Sequence, residues 1–391
     1  MSSPLDVTHS KETGYFQPPR GINMTKTTRV MLAVLAVCGT SAALAQSSVT
    51  LYGRVNTSIE HQKLGNASAT GLVSNSSFIG FRGTEDLGNG LKAGFILESQ
   101  FNSDNGTGTA DNGGVNFTRQ SELNLSGDFG LLRLGTFDPY SYSVTADAIS
   151  MHNHDTGPTA DMLYDGVLWG GNKIAYRTPT IAGFDAEIQY QFGEKEKIAD
   201  FKEEIGGNTY SGSVEHKNGW DLGVNYANGP LGLGFGYSQL KYDASLSDGT
   251  NSVATSLKQS QLAIRASYEI GDLTLGAYYQ KQDLKASEIG KVKRNVYRLA
   301  AKYVIGASEL HANIGRADKF KFDGEKFGRA PTQWTLAYNY NLSKRTKVYA
   351  LYSNINNAVY SNVIGNTFSS LSTTDDAAKF RTFGVGIRHF F

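Results

Sequence analysis

The chain has a single cysteine, Cys38, and only 8 prolines among its 391 residues. One cysteine cannot form an intramolecular disulfide, so a disulfide framework is excluded. No segment after residue 45 contains the run of about 20 apolar residues that a transmembrane helix requires. Neither sign of charge dominates, since 37 Lys and Arg residues stand against 36 Asp and Glu residues. A nucleic-acid-binding surface needs a basic surplus, so no nucleic-acid partner is indicated.

Helical periodicity is almost absent as well, which is unusual for a soluble protein of this length. The chain is instead rich in glycine, with 44 residues, and 11% of it is aromatic. Segments of about ten residues alternate between apolar and polar positions, a pattern typical of membrane β-barrels. An all-β fold in a membrane is therefore the first prediction.

The last nine residues, Phe383–Phe391, form the clearest strand pattern in the chain. One face is formed by Phe383, Val385, Ile387, His389 and Phe391, and the other by Gly384, Gly386, Arg388 and Phe390. A free terminal strand would expose an unpaired edge, whereas pairing with the first strand closes a barrel. The alternative is an ordinary terminal strand in a soluble sandwich.

The N-terminal region predicts export from the cytoplasm. Residues 24–45 have the features of a signal peptide: basic Lys26 and Arg29, a short apolar stretch over Val30–Val37, and a small-residue cleavage site ending at Ala45. We expect residues 1–23 to be a non-native or mis-assigned extension, and residues 46–391 to be the barrel. Cys38 lies inside the signal, so the mature chain would contain no thiol.

Alternation and turn signals together predict sixteen antiparallel strands, from Val49–Gln62 to Lys379–Phe391. Short turns alternate with long polar connections at 102–118, 136–172, 194–218, 243–258, 320–331 and 355–378. Short turns on one rim and long loops on the other are the outer-membrane arrangement. A β-propeller would show a blade repeat of fixed period, which this chain lacks.

The alternation also assigns the two faces of the predicted barrel. The positions expected to face lipid are Leu51, Val55, Ile79 and Phe81, and those expected to face the lumen are Arg54, Asn56, Arg82 and Arg133. Glu122 interrupts the outward pattern of the strand that begins at Arg119. A sixteen-stranded barrel is too wide to be filled by side chains and holds an aqueous channel.

Several stretches together resemble the trimeric general porins of Gram-negative bacteria, in particular the beta-proteobacterial branch. The matching stretches are Ser48–Gly53, Gly80–Ala93, Gly127–Gly130, Leu132–Gly135, Asn172–Pro179 and the terminal Phe391. The resemblance implies a homotrimer of sixteen-stranded transmembrane barrels, each with a third long loop folded inward. It also implies lipid and lipopolysaccharide of the bacterial outer membrane as surroundings, and recognition of the terminal strand by the outer-membrane barrel assembly machinery.

By the same resemblance, a pore constriction would lie between the third long loop and a basic wall. The loop would be Thr136–Asn172, with Asp138, Asp147, Asp155, Asp161 and Asp165, and the wall would present Arg54, Arg82, Arg119 and Arg133. The family often has an arginine where this chain has Thr136, so one constriction charge is either missing or supplied by another residue. The alternative interpretation is that the aspartates cap turns and the arginines lie on a solvated face.

The sequence therefore predicts an outer-membrane porin for passive diffusion of ions and small hydrophilic solutes, without a cofactor and without catalysis. His152-Asn153-His154-Asp155 offers no third positioned metal ligand, so no metal site is expected. The rival functions are a barrel enzyme, for which no catalytic constellation is visible, and a closed structural or adhesive barrel, which is usually smaller. Wall arginines favour anions and loop aspartates favour cations, which leaves the ion preference open.

Overall fold

The computed structural model describes residues 48–391 except 109, 111–112, 151–161, 165, 168–169, 194–196, 206–207, 248–251, 288 and 363–366. The predicted signal peptide and N-terminal extension thus lie outside the described residues. The strands are β1 (Ser48–Leu64), β2 (Ala67–Ser74), β3 (Ser77–Gly88), β4 (Leu91–Phe101), β5 (Gln120–Gly127), β6 (Gly130–Thr136), β7 (Lys173–Arg177), β8 (Phe184–Gln191), β9 (Lys197–Ile205), β10 (Asn208–Asn228), β11 (Leu231–Ser247), β12 (Ser252–Ile270), β13 (Leu273–Ala286), β14 (Gly290–Ile305), β15 (Ser308–Ala317), β16 (Phe320–Phe322), β17 (Glu325–Phe327), β18 (Thr332–Asn341), β19 (Thr346–Asn356) and β20 (Phe380–Phe390).

Sixteen of these strands form one closed antiparallel barrel, which confirms the predicted fold class. The ring runs β1, β3–β8, β10–β15 and β18–β20, and β20 pairs back to β1. The other four, β2, β9, β16 and β17, pair beside the ends of ring strands.

The helical elements are an α-helical turn at Tyr140–Tyr142, a π-helical turn at Ser143–Asp147 and a 3-10 turn at Ala358–Tyr360. None of the helices in the described ranges has the length and apolar character needed to cross a membrane.

The two faces of the strands differ as the alternation predicts. On β20, Phe383 and Ile387 are 52% and 49% exposed, whereas Thr382, on the other face of the strand, is 1% exposed. Exposed apolar side chains mark the outer face, and the polar face lines the inside. Glu122 fits this pattern after all, because Leu123 is the outward residue of β5 and Glu122 is buried on the inner face.

Two of the predicted long connections are wrong. In the range 243–258, β11 continues to Ser247 and β12 begins at Ser252, and the two strands stay in register to those residues. In the range 194–218, most residues belong to β9 and β10. Polar residues outnumber apolar ones in both ranges, and turn-forming Gly, Asn, Ser and Asp residues are frequent. This composition is typical of loops, and it outweighs the short apolar alternation at Ala244 and Leu246.

Candidate pore constriction

Three of the four predicted wall arginines lie around two aromatic rings on the inner face. The Cζ atoms of Arg54 and Arg119 lie 5.4 and 4.7 Å from the centre of the Phe78 ring. The Cζ of Arg82 lies 4.8 Å from the centre of the Tyr52 ring. The rings of Tyr52 and Phe78 meet edge to face at 6.0 Å. Such contacts with aromatic faces hold guanidinium groups in place without neutralising their charge.

One carboxylate, Glu98, accompanies this arginine cluster. Glu98 accepts a hydrogen bond from the Tyr52 hydroxyl at 2.7 Å and pairs with Arg119 at 2.9 Å. Arg54 instead donates to the backbone oxygen of Ser76 at 2.7 Å. Within the described parts of the chain, Arg82 forms no ion pair, and its side chain is exposed. Glu98 therefore offsets the charge of Arg119, whereas Arg82 keeps its charge unpaired among the described residues.

The fourth predicted arginine, Arg133 on β6, lies in a separate buried ion cluster. Its guanidinium pairs with Glu122 at 2.7 Å and with Glu187 at 3.0 Å. Glu187, which is fully buried, also accepts from Arg177 at 2.7 Å. Two arginines and two glutamates balance one another here, so this cluster adds little net charge to the lumen.

The long connection after β6 begins with a helical segment held against the inner face. The Tyr140 hydroxyl donates to Asp185 on β8. Asp221 on β10, which is buried, accepts from the backbone N–H of Ser141 at 2.9 Å and from the Ser238 hydroxyl. Burial, together with the hydrogen bond to Asp185, raises the pKa of the Tyr140 phenol. The Tyr140 phenol therefore stays protonated at physiological pH and can donate its hydrogen bond to Asp185.

Glycines on the wall permit this close approach. A side-chain carbon added at Gly236 would lie 2.8 Å from the backbone oxygen of Ser141, and one added at Gly223 would lie 2.8 Å from the backbone of Tyr140. At Gly234 the same addition would collide with the backbone oxygen of Val144. These positions need glycine because protein interiors tolerate no such overlap.

Apolar residues hold the rest of the described connection. The buried residues are Ile149, Met162, Leu163, Tyr164 and Val167. Ile149 packs in a cluster with Ala263 and Tyr278, and Leu163 packs with Val296 and Ala317. Val167 packs against Leu240. The partners belong to five neighbouring wall strands, β11 to β15.

Of the five loop aspartates, two lie within the described residues. The charge of the Asp138 carboxylate interacts with those of Arg119, Lys173 and Arg133. The dense protein around its carboxylate weakens hydration and raises the pKa of Asp138, which the nearby cations oppose. Asp147 ends the π-helical turn. Asp155, Asp161 and Asp165, like the His152–Asp155 stretch, lie outside the described residues.

The family model that describes Gram-negative porins matches residues 31–359. The chain is a member of the Gram-negative porin family. Outer membrane porin protein 32 of Delftia acidovorans is 34% identical over 83% of this chain and 88% of its own length. An outer membrane porin protein of Bordetella pertussis is 29% identical over 93% of this chain and 100% of its own length. A solved structure, an anion-selective porin from Comamonas acidovorans, is 30% identical and covers 88% of this chain and all of its own, with a TM-score of 0.63.

The protein is thus an outer-membrane porin, a channel rather than an enzyme. Three inner-face residues near the candidate constriction were not predicted from sequence. They are Glu98 and Glu187, which pair with the arginines, and Lys173, whose ammonium donates to the backbone oxygen of Phe137 at 2.8 Å. Glu98 and Glu187 lie at polar positions of alternating strands, so the same facing rule that selected the arginines could have found them.

Proposed function

We propose that the connection 136–172 folds inside the barrel and narrows the channel opposite the arginine cluster of Arg54, Arg82 and Arg119. The hydrogen bonds to Asp185 and Asp221 and the buried contacts of Ile149 and Leu163 support this placement. All of these partners lie on the wall. A loop held along the inner wall reduces the cross-section that solutes share with water.

The constriction proposed here favours small anions over cations. The observation that supports this preference is Arg82, whose side chain is exposed on the inner face and forms no ion pair with any described residue, whereas Arg119 is paired with Glu98. Fixed positive charge beside a narrow water-filled path attracts anions and repels cations. A relative at 30% identity is itself described as an anion-selective porin.

Assembly and surroundings complete the proposal. The porin forms a homotrimer in the outer membrane, as a solved porin of Vibrio cholerae does in its trimer form. Outer-membrane lipid and lipopolysaccharide surround the trimer, and the barrel assembly machinery recognises its terminal strand. The N-terminal residues 24–45 serve as the export signal and are removed after Ala45.

The reversal potential in a planar bilayer under a salt gradient tests the ion preference directly. We expect a sign that corresponds to anion selectivity at low salt, and a smaller potential at high salt, where screening shortens the reach of each charge. A cation-selective channel would refute the preference. The mass of the gently solubilised particle tests the trimer, and a mass of one chain would refute it.

A further inference from the structure

A cavity of about 400 Å³ lies between the helical segment 140–147 and the inner face of β10 to β12. Gly229 and Pro230, in the short turn between β10 and β11, also line it, so the cavity lies toward the short-turn rim. Cavities of this size are typical of small-molecule sites. The strands β10 to β12 lie across the ring from β1 and β3, which carry Arg54 and Arg82. The cavity is therefore separate from the arginine cluster.

Arg265 on β12 is the cation that lines this cavity, and most of its hydrogen-bonding capacity is unused. Its Nη1 donates to the Ser267 hydroxyl at 3.3 Å, and its Nη2 donates to the side-chain oxygen of Asn225 at 3.5 Å. Its Nε–H is buried and donates to no described residue. No carboxylate in the described part of the chain pairs with Arg265, whereas Arg133 pairs with two. A guanidinium has five N–H donors in a fork that matches the two oxygens of a carboxylate.

The acidic residues around Arg265 limit what the cavity accepts. Asp185 accepts a hydrogen bond from the Asn225 amide at 3.1 Å and, like Asp147, does not line the cavity. Glu269 does line it, and its side chain is exposed. Glu269 follows Arg265 by four residues on the same face of β12, which is about 13 Å along a strand. At that separation Glu269 leaves the guanidinium unpaired, but it repels a second negative group at the other end of a solute.

Apolar side chains complete the lining, and they suit a solute with a short hydrocarbon body. They are Val144, Ala148, Ala227, Pro230 and Leu231. Ala148, Ala227 and Pro230 are exposed, so a bound solute can cover them and remove apolar surface from water.

We propose that this cavity is a binding site for small monocarboxylates that pass through the channel. The carboxylate pairs with Arg265 through charge-assisted hydrogen bonds, and the apolar body packs against Ala227 and Pro230. Glu269 disfavours dicarboxylates. The inference rests on the channel function and is independent of the ion preference proposed for the constriction, because it compares two organic anions in the same channel.

The test is the block of potassium chloride current by butyrate and by succinate in a planar bilayer, at constant ionic strength and about pH 7, where both acids are ionised. In the original channel, butyrate should block with a saturating concentration dependence, and succinate should need about tenfold more. Arg265→Gln should raise the half-blocking concentration of butyrate about tenfold or more, because charge-assisted hydrogen bonds are lost. The matched control is Lys302→Gln, which removes one cation from the inner face of β14 outside the cavity. It should shift that concentration by no more than about twofold, because salt screens a distant charge.

Two further variants test the shape and the selectivity of the cavity. Ala227→Leu fills it without altering charge and should also weaken the block by butyrate, which keeps the proposal testable if Arg265→Gln does not fold. Glu269→Gln should bring the half-blocking concentrations of succinate and butyrate closer together. Equal shifts in Arg265→Gln and Lys302→Gln would indicate the general field of the lumen and overturn the site. Equal potency of the two acids in the original channel, or an unchanged ratio in Glu269→Gln, would overturn the assigned class of solute.

Discussion

Gly53 and Phe391 join the two ends of the barrel through a reciprocal pair of backbone hydrogen bonds, with N···O distances of 3.3 and 3.2 Å. The Phe391 ring also lies over Gly53, where an added side-chain carbon would be 2.5 Å from the ring and 2.5 Å from the backbone oxygen of Phe78. The backbone pairing that closes the barrel therefore extends to Phe391. It requires glycine at position 53, because a larger side chain would overlap the Phe391 ring.

Gly53→Val should weaken barrel closure. The new side chain must displace both the Phe391 ring and a backbone oxygen, and overpacking of this kind costs about 1–3 kcal/mol. The measurement is the urea midpoint of unfolding in detergent, followed by the gel mobility of the folded barrel. Val55→Ala, on the same face of β1, is the control and should change the midpoint less. Equal midpoints for both variants would contradict this account of closure.

Arg54→Ser combined with Arg82→Ser should shift the channel toward cations. In water, one unit charge at about 6 Å changes the energy of a passing ion by about 0.7 kcal/mol, which is about threefold in relative occupancy. Loss of two such charges should lower the anion-to-cation permeability ratio several-fold at low salt. The reversal potential measures that ratio. The control, Lys63→Ser with Arg381→Ser, removes two outer-face charges and should leave the permeability ratio unchanged. An equal change in that ratio for the control would contradict the assignment of Arg54 and Arg82 to the selective region.

Much of the fold could be predicted because each membrane strand alternates between lipid and lumen. That rule selected the closing strand and the outward Leu51 and Phe81, all of which the structure confirms. It failed in the range 243–258, where polar and turn-forming residues predominate although β11 and β12 stay paired to Ser247 and Ser252. It also could not pair charges across strands, since the partnership of Arg133 with Glu187 depends on register and on burial. Whether a wall arginine is free or neutralised is therefore decided in three dimensions.

Arg133→Gln should destabilise the barrel far more than it alters selectivity. Removing this cation leaves Glu122 without its 2.7 Å ion pair and Glu187 with Arg177 alone. Breaking a buried ion pair from one side costs about 3–5 kcal/mol. The urea midpoint should therefore fall sharply, and Glu122→Gln added to Arg133→Gln should recover part of the loss. No recovery in the double variant would mean that the uncompensated carboxylate is not the cause.

Asp138 should make ion selectivity depend on pH. Its raised pKa means that it takes up a proton at a higher pH than an ordinary aspartate. As the pH falls through that range, the constriction loses a negative charge and should become more anion-selective. Reversal potentials between about pH 7 and pH 4 measure the effect, since an ordinary aspartate titrates near the lower limit. In Asp138→Asn, the reversal potential should depend less on pH, because the titrating carboxylate is gone. If the original channel and the variant show the same pH dependence, Asp138 lies outside the selective region.

Gly234→Val tests whether the connection 136–172 narrows the channel. The new side chain collides with the backbone oxygen of Val144, which cannot move unless the helical segment shifts away from the wall. The strand itself accepts valine readily, so the barrel should still fold, with a loss of no more than about 1–3 kcal/mol. Displacement of the helical segment at 140–147 should change the single-channel conductance and its noise, because this segment would then narrow the pore differently. Leu233→Ala, one residue away on the lipid face, should leave the conductance unaltered. If Gly234→Val folds and conducts as the original channel does, this segment does not form the narrow part of the pore.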